Sequence, residues 1–207
     1  MTLAKQFRYA WYVLVHPFKG FWDIKHEKKG GIRLSLCLLL ALLVSTLLKE
    51  SLSGYLFNMN YGENINLLKI ILSVLMPVMF WSVSNWCLTT LVDGEGSFYD
   101  IVVVMGYAML PLICSNLLTT ALSRFVTLDE GMVVTFFQGV GILWSVCLLL
   151  VGTQVIHQFT LFKTILTTIL TIVGIMAVVF ILLLCYNMVQ SFISFVESVV
   201  KEIIYRI

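Results

Sequence analysis

The side chains best suited to chemistry gather in one segment, Asp93-Gly94-Glu95-Gly96-Ser97-Phe98-Tyr99-Asp100. It sets the carboxylates of Asp93, Glu95 and Asp100 and the glycines Gly94 and Gly96 between two apolar runs. Paired carboxylates can serve as general acid and base. Here they sit in a turn with no nucleophile and no converging pocket. A phosphate cradle is also excluded, because the acids repel phosphate and no Lys follows the glycines. The glycines are expected to permit a tight turn with positive φ. Ser97-x-x-Asp100 fits a capping box with Asp in place of Glu. The segment therefore reads as a hairpin turn. Asp93, Gly94, Glu95, Gly96, Ser97, Phe98 and Asp100 form a candidate interaction turn.

Other reactive residues are scattered. His16, His26 and His157 are far apart in the chain, so no zinc site is expected. Cys37, Cys87, Cys114, Cys147 and Cys185 all fall in apolar runs without CxxC or Cys/His spacing, and read as small apolar residues. No Ser/His, HExxH or paired intramembrane Asp pattern occurs. No catalytic residue, metal or cofactor is expected, and the protein does not read as an enzyme.

The elements that position these residues follow from composition. The 207 residues are 60% hydrophobic and 12% charged, with mean hydropathy +0.99. A soluble domain is about 25% charged. Such a chain cannot cover its own surface, so lipid must be its solvent. A spanning helix needs about 20 mostly apolar residues. Five runs qualify: 32–48, 67–92, 101–122, 132–156 and 161–185. Alternating ten-residue segments of a barrel are absent, so the expected fold is all-α, a polytopic membrane helical bundle. A polar loop with Gly54, Asn58, Asn60, Gly62, Glu63 and Asn64 separates the first two spans.

Residues 1–31 do not read as a signal peptide, because the first apolar run starts late and is followed by Lys49-Glu50-Ser51. They read as a cytoplasmic interfacial segment. Lys5, Arg8, Lys19, Lys25, Lys28, Lys29 and Arg33 gather at its end of the chain, which favours cytoplasmic retention and anionic lipid over nucleic acid. With Lys163 the inner segments hold eight basic residues, against five outside: Lys49, Lys69, Arg124, Lys201 and Arg206. The expected orientation is N-terminus in and C-terminus out. Trp11, His16, Pro17, Phe18, Phe21, Trp22, Lys25, Lys28 and Lys29 make a candidate interfacial foot. Residues 186–207 alternate Phe192, Phe195, Val196, Val199 and Ile203 with Ser191, Ser194, Ser198 and Lys201. This is an amphipathic helix, lying at the outer surface or extending span five.

Polar residues inside spans are Asn85, Tyr107, Asn116 and Gln154, with Ser82 and Ser84 beside the first. They read as interhelical hydrogen-bonding groups, or as the lining of a polar path. No charge lies at a span centre. Pro77 and Pro111 are expected to kink spans two and three. Trp81-Ser82-Val83 recurs as Trp144-Ser145-Val146, an offset of 144 − 81 = 63 that also aligns Ser97 with Thr160. Spans two–three and four–five are thus expected to be a parallel repeat of one hairpin. The same offset aligns Asp100 with Lys163, an expected ion pair.

The sequence resembles the Yip family of membrane proteins, in its prokaryotic form. The carrying residues are His16-Pro17-Phe18, Gly94-Glu95-Gly96-Ser97-Phe98, Gly106-Tyr107-Ala108-x-x-Pro111, and Trp144 followed by His157-x-x-Thr160. The resemblance covers roughly residues 11–190 and implies five spans with a cytoplasmic N-terminus, in a prokaryotic inner membrane. Its eukaryotic members bind Rab-type GTPases, but the short foot here leaves such a partner unexpected. The expected function is a non-enzymatic partner or organiser of another membrane complex, such as a transporter, or of membrane shape. The alternative is a small transport or channel component with a polar path between spans two to four.

Overall fold

The structure is a computed structural model and describes residues 3–27, 29–54, 66–127 and 129–206. Lys28 of the expected foot, and Asn58, Asn60, Gly62, Glu63 and Asn64 of the expected loop, lie outside the described residues. Eight helices are described: α1 (Leu3–Val15), α2 (Pro17–His26), α3 (Ile32–Leu52), α4 (Leu67–Leu91), α5 (Phe98–Ala108), α6 (Leu110–Leu122), α7 (Gly131–His157) and α8 (Leu161–Arg206). No strand occurs among the described residues. Five helical stretches are long and apolar enough to cross a membrane: α3, α4, α5 with α6, α7 and α8.

Local signals set the helix ends. The Asn66 side chain accepts the Lys69 N–H at 3.1 Å and caps α4. Ser97 and Asp100 form the reciprocal capping box that starts α5. Thr160 accepts the Lys163 N–H at the start of α8. The chain leaves α7 through Gln158 in the left-handed region, φ 53°.

The two prolines act differently. Pro77 lies inside α4, which continues through it from Leu67 to Leu91. Pro111 lies in the first turn of α6, and the span divides at Met109. Proline suits a first helical turn because its missing N–H has no partner to lose there.

The divided span α5–α6 is the centre of the bundle, with α3, α4 and α7 packed around it. Small residues allow this close approach, since lipid supplies little hydrophobic drive between helices. A Cβ on Gly106 would strike Ser35 of α3. The Ser35 hydroxyl donates to the Val102 carbonyl of α5 at 2.7 Å. Tyr107 and Ala108, the next two residues of the Gly-Tyr-Ala stretch, are both buried.

Helix α8 is peripheral. Its first half packs on α4, and Ser82, Ser84, Asn85 and Thr89 of α4 and Thr164, Thr167 and Thr171 of α8 are all buried. Asn85 Nδ2 donates to Thr171 Oγ1 at 3.3 Å across this seam. Past residue 179 the helix leaves the bundle, and residues 180–205 are all exposed. The segment from residue 186, expected to lie at the outer surface or to extend span five, continues α8 without a break.

Candidate functional site

The end of the bundle that carries α1 and α2 is where most sequence-selected residues meet. Helices α1 and α2 fold on each other as a hairpin. The Tyr9 hydroxyl lies 3.1 Å from both the Gly20 carbonyl and the Asp23 carboxylate. Asp23 is buried, and Lys29 pairs with it at 3.0 Å and with Glu27 at 2.5 Å. Burial, and then the Asp23 charge, raises the Tyr9 pKa. Hydrogen bonds to Glu27, and then to Asp23, raise that of Lys29.

This hairpin is not only a foot at the headgroups. Phe21, expected there, is fully buried. Its ring packs beside Gly152 of α7, where a Cβ would lie 3.3 Å from it. The correction has a physical reason: α2 needs an apolar anchor to dock on the bundle, and a glycine in α7 leaves room for a ring. Trp11, Phe18 and Trp22 stay exposed, and Trp22 stacks on His26 at 3.8 Å. His16 is exposed at the N-cap of α2, with Pro17 in its first turn.

The acidic turn docks on the same end. Lys25 of α2 bonds the Ile156 carbonyl at 2.6 Å and Glu95 at 3.3 Å. It thus supplies a cation and a donor to the last turn of α7, whose carbonyls lack helical partners. Lys25 is therefore a strut between α2, the turn and α7, not a lipid-facing lysine. The Gly96 N–H donates to His157 Nδ1 at 3.2 Å. The Gly94 N–H closes the end of α4 onto the Thr89 carbonyl at 2.8 Å.

The glycines serve space, not φ. The left-handed residue of the turn is Asp93, φ 55°. A Cβ on Gly94 would lie 2.6 Å from His157 Nδ1, and one on Gly96 would lie 2.7 Å from Cε1. The expectation of positive φ at these glycines is corrected: they leave room for a buried imidazole. Phe159 stacks on that ring at 5.3 Å, and Lys163 lies over Phe159 at 4.3 Å. The expected Asp100–Lys163 ion pair is not formed. Asp100 is held by Ser97, and Lys163 by the Phe159 face. Phe98 and Tyr99 are exposed beside the turn, and Phe98 meets Trp86 edge-on at 6.1 Å.

This assembly holds a shape. His157 Nδ1 accepts, so the ring proton sits on Nε2, which is buried without a partner. Among the described residues no group of three or more His, Cys, Asp or Glu could hold a metal.

The intramembrane polar residues do not converge. Asn85 joins α4 to α8. Tyr107 is buried at the α1–α2 end, where a Cβ on Gly30 would lie 3.1 Å from its hydroxyl. Gln154 is half-buried one turn before the end of α7. Asn116 lies toward the opposite end, with Nδ2 3.4 Å from Ser45 Oγ and 3.5 Å from Thr46 Oγ1. Its Oδ1 accepts from Gln138 Nε2 at 3.2 Å, and Gln138 Oε1 accepts from Lys49 at 3.0 Å. Sequence reasoning missed Gln138 as the partner of Asn116 and Lys49 as the partner of Gln138. Their positions near the far ends of α3 and α7 are the signal that could have found them.

A polytopic helical bundle with five apolar helices of membrane-crossing length is a multi-pass integral membrane protein. The Yip1 domain model matches residues 11–183, and the chain belongs to that family. No curated protein and no solved structure matches it. Two stretches that carry the resemblance, Gly94–Phe98 and His157–Thr160, touch each other through Gly96 and His157.

Proposed function

We propose that this protein is a non-enzymatic partner of another membrane protein, held against it by the far half of α8. The carrying observation is the length and exposure of that helix. Its 46 residues extend about 69 Å at 1.5 Å per residue. A bilayer with its headgroups is about 40–45 Å thick. The exposed run 180–205 includes Phe192, Phe195, Val196, Val199 and Ile203. A helix that is apolar beyond the lipid needs a covering surface. The charge count supports an orientation with α1, α2 and the acidic turn in the cytoplasm and this helix outside. The exposed Trp11, Phe18, Trp22 and Phe98 then form a second, cytoplasmic face. A transporter suits the role of partner. Nucleic acid and Rab-type GTPases do not, because Lys25 is engaged by the turn and α7, and Lys29 by Asp23 and Glu27.

The test is affinity isolation from native membranes of the full chain and of a chain ending at Cys185. A stoichiometric membrane protein recovered with the first and lost with the second supports the proposal. The transport alternative loses support from the separation of Asn85, Tyr107 and Asn116 at different helix contacts. Solute flux through liposomes holding this protein alone would reinstate it.

A further inference from the structure

The far end of the bundle holds a cavity of about 360 Å³ between α3, α6 and α7. Small-molecule sites fall at roughly 300–1,000 Å³. Its polar lining is Lys49, Ser53, Thr119, Ser123, Thr135 and Gln138. Lys49, Ser53, Thr119 and Ser123 lie in the last turns of α3 and α6 or just past them, and Thr135 and Gln138 in the second turn of α7. Helix ends of this kind reach the level of lipid headgroups.

The donors and acceptors of this cavity are set in order. Lys49 donates to Gln138 Oε1, Gln138 Nε2 donates to Asn116 Oδ1, and Asn116 Nδ2 faces Ser45 and Thr46. Each amide is fixed by the next, so the Lys49 ammonium is held by a neutral acceptor. An ammonium has three donors, and this bond uses one. No carboxylate lines the cavity among the described residues. The hydroxyls spend their protons on their own helices: Ser123 on the Thr120 carbonyl, Thr119 on Ser115, Ser53 on Lys49. Ser123 Oγ already accepts the Gly54 N–H at 3.0 Å, and the remaining hydroxyl lone pairs are open to a donor.

Gly139 marks a vacant wall. A Cβ there would meet no atom within 4 Å. Glycine inside a helix costs about 0.5–1 kcal/mol relative to alanine, and no neighbour here requires it. Val134 and Ile142 give the same wall an apolar surface.

We propose that this cavity binds a phosphodiester headgroup. Its phosphate oxygen would take the free Lys49 N–H groups, and its hydroxyl or ammonium group would donate to the Ser and Thr oxygens. The apolar wall favours a phospholipid as the source over a soluble phosphate ester.

The test uses purified full-length protein, stripped of lipid and then offered dioleoyl phosphatidylglycerol or, separately, glycerol 1-phosphate. Binding is read by native mass spectrometry and by the shift in thermal unfolding. Saturable binding of the lipid by wild type is expected. Charge-assisted hydrogen bonds contribute about 1.5–3 kcal/mol, so Lys49→Gln should weaken binding at least about tenfold, while Lys49→Arg retains it. Gly139→Leu should block the cavity without lowering the unfolding temperature of the lipid-free protein. Lys49-dependent binding of glycerol 1-phosphate without the lipid would keep the headgroup site and assign it a soluble source. If Lys49→Gln fails to fold, Gly139→Leu decides. Equal lipid binding by wild type and Gly139→Leu, or no binding of either probe, overturns the proposal.

Discussion

The Gly96 backbone N–H lies 3.2 Å from Nδ1 of His157. Sixty-one positions separate the two residues, and each belongs to a different stretch of the Yip-like pattern. Lys25 anchors α2 over the same place by bonding Glu95 and the Ile156 carbonyl. The turn after α4, the end of α7 and the N-terminal hairpin therefore form one packed unit.

Gly96→Ala should destabilise the protein, because its methyl would sit 2.7 Å from a ring carbon. Overpacking of this kind costs about 1–3 kcal/mol. His157→Ala removes the obstacle, so the double variant should recover part of the loss. Thermal unfolding in detergent checks this. Additive losses would show that the ring is not the obstacle.

Lys25→Ala should cost more than Glu95→Gln. The Glu95 side chain is 58% exposed, and an exposed ion pair contributes about 0–1 kcal/mol. The Ile156 carbonyl, by contrast, loses a charged donor at a helix end. Unfolding at low and high salt should show the Glu95 effect screened and most of the Lys25 effect retained. Equal losses with equal salt dependence would contradict this.

The α4–α8 seam should show a small positive coupling. Asn85→Ala and Thr171→Ala each remove one side of the same bond, and such bonds couple by about 0.6 kcal/mol in membrane proteins. A double-mutant cycle reads that value. A coupling near zero would mean α8 is held by packing alone.

Tyr9 should make stability fall at alkaline pH. Its pKa is raised above the ordinary 10.0, so the folded state holds the proton more tightly than the unfolded state. That contribution is complete below the ordinary value and is lost as pH rises through the folded value. Tyr9→Phe should remove this part of the alkaline slope. An unchanged slope would place its origin elsewhere.

Helices of membrane length were legible because their apolar runs need no partner to be recognised. The Ser97–Asp100 capping box was legible for a similar reason, since both residues lie within one turn. What escaped depended on distant residues. Gly94 and Gly96 look like turn glycines until His157 arrives from α7. Phe21 looks interfacial until Gly152 offers it a socket. The pairing of Asp100 with Lys163 failed because each found a local partner, Ser97 and Phe159. Thr171 gains its value only with Asn85 opposite it on α4. Lys49 was read only as an outer basic residue, and only the fold joins it through Gln138 to Asn116.

The proposed role as a membrane partner is tested most directly by a photo-reactive amino acid placed at Phe195 in native membranes. Phe195 is exposed on the far half of α8, and Phe125, exposed beyond α6, serves as the control site. The account predicts one discrete protein adduct from position 195 and none from 125. Lipid adducts alone at position 195, or the same protein adducts from both positions, would contradict it.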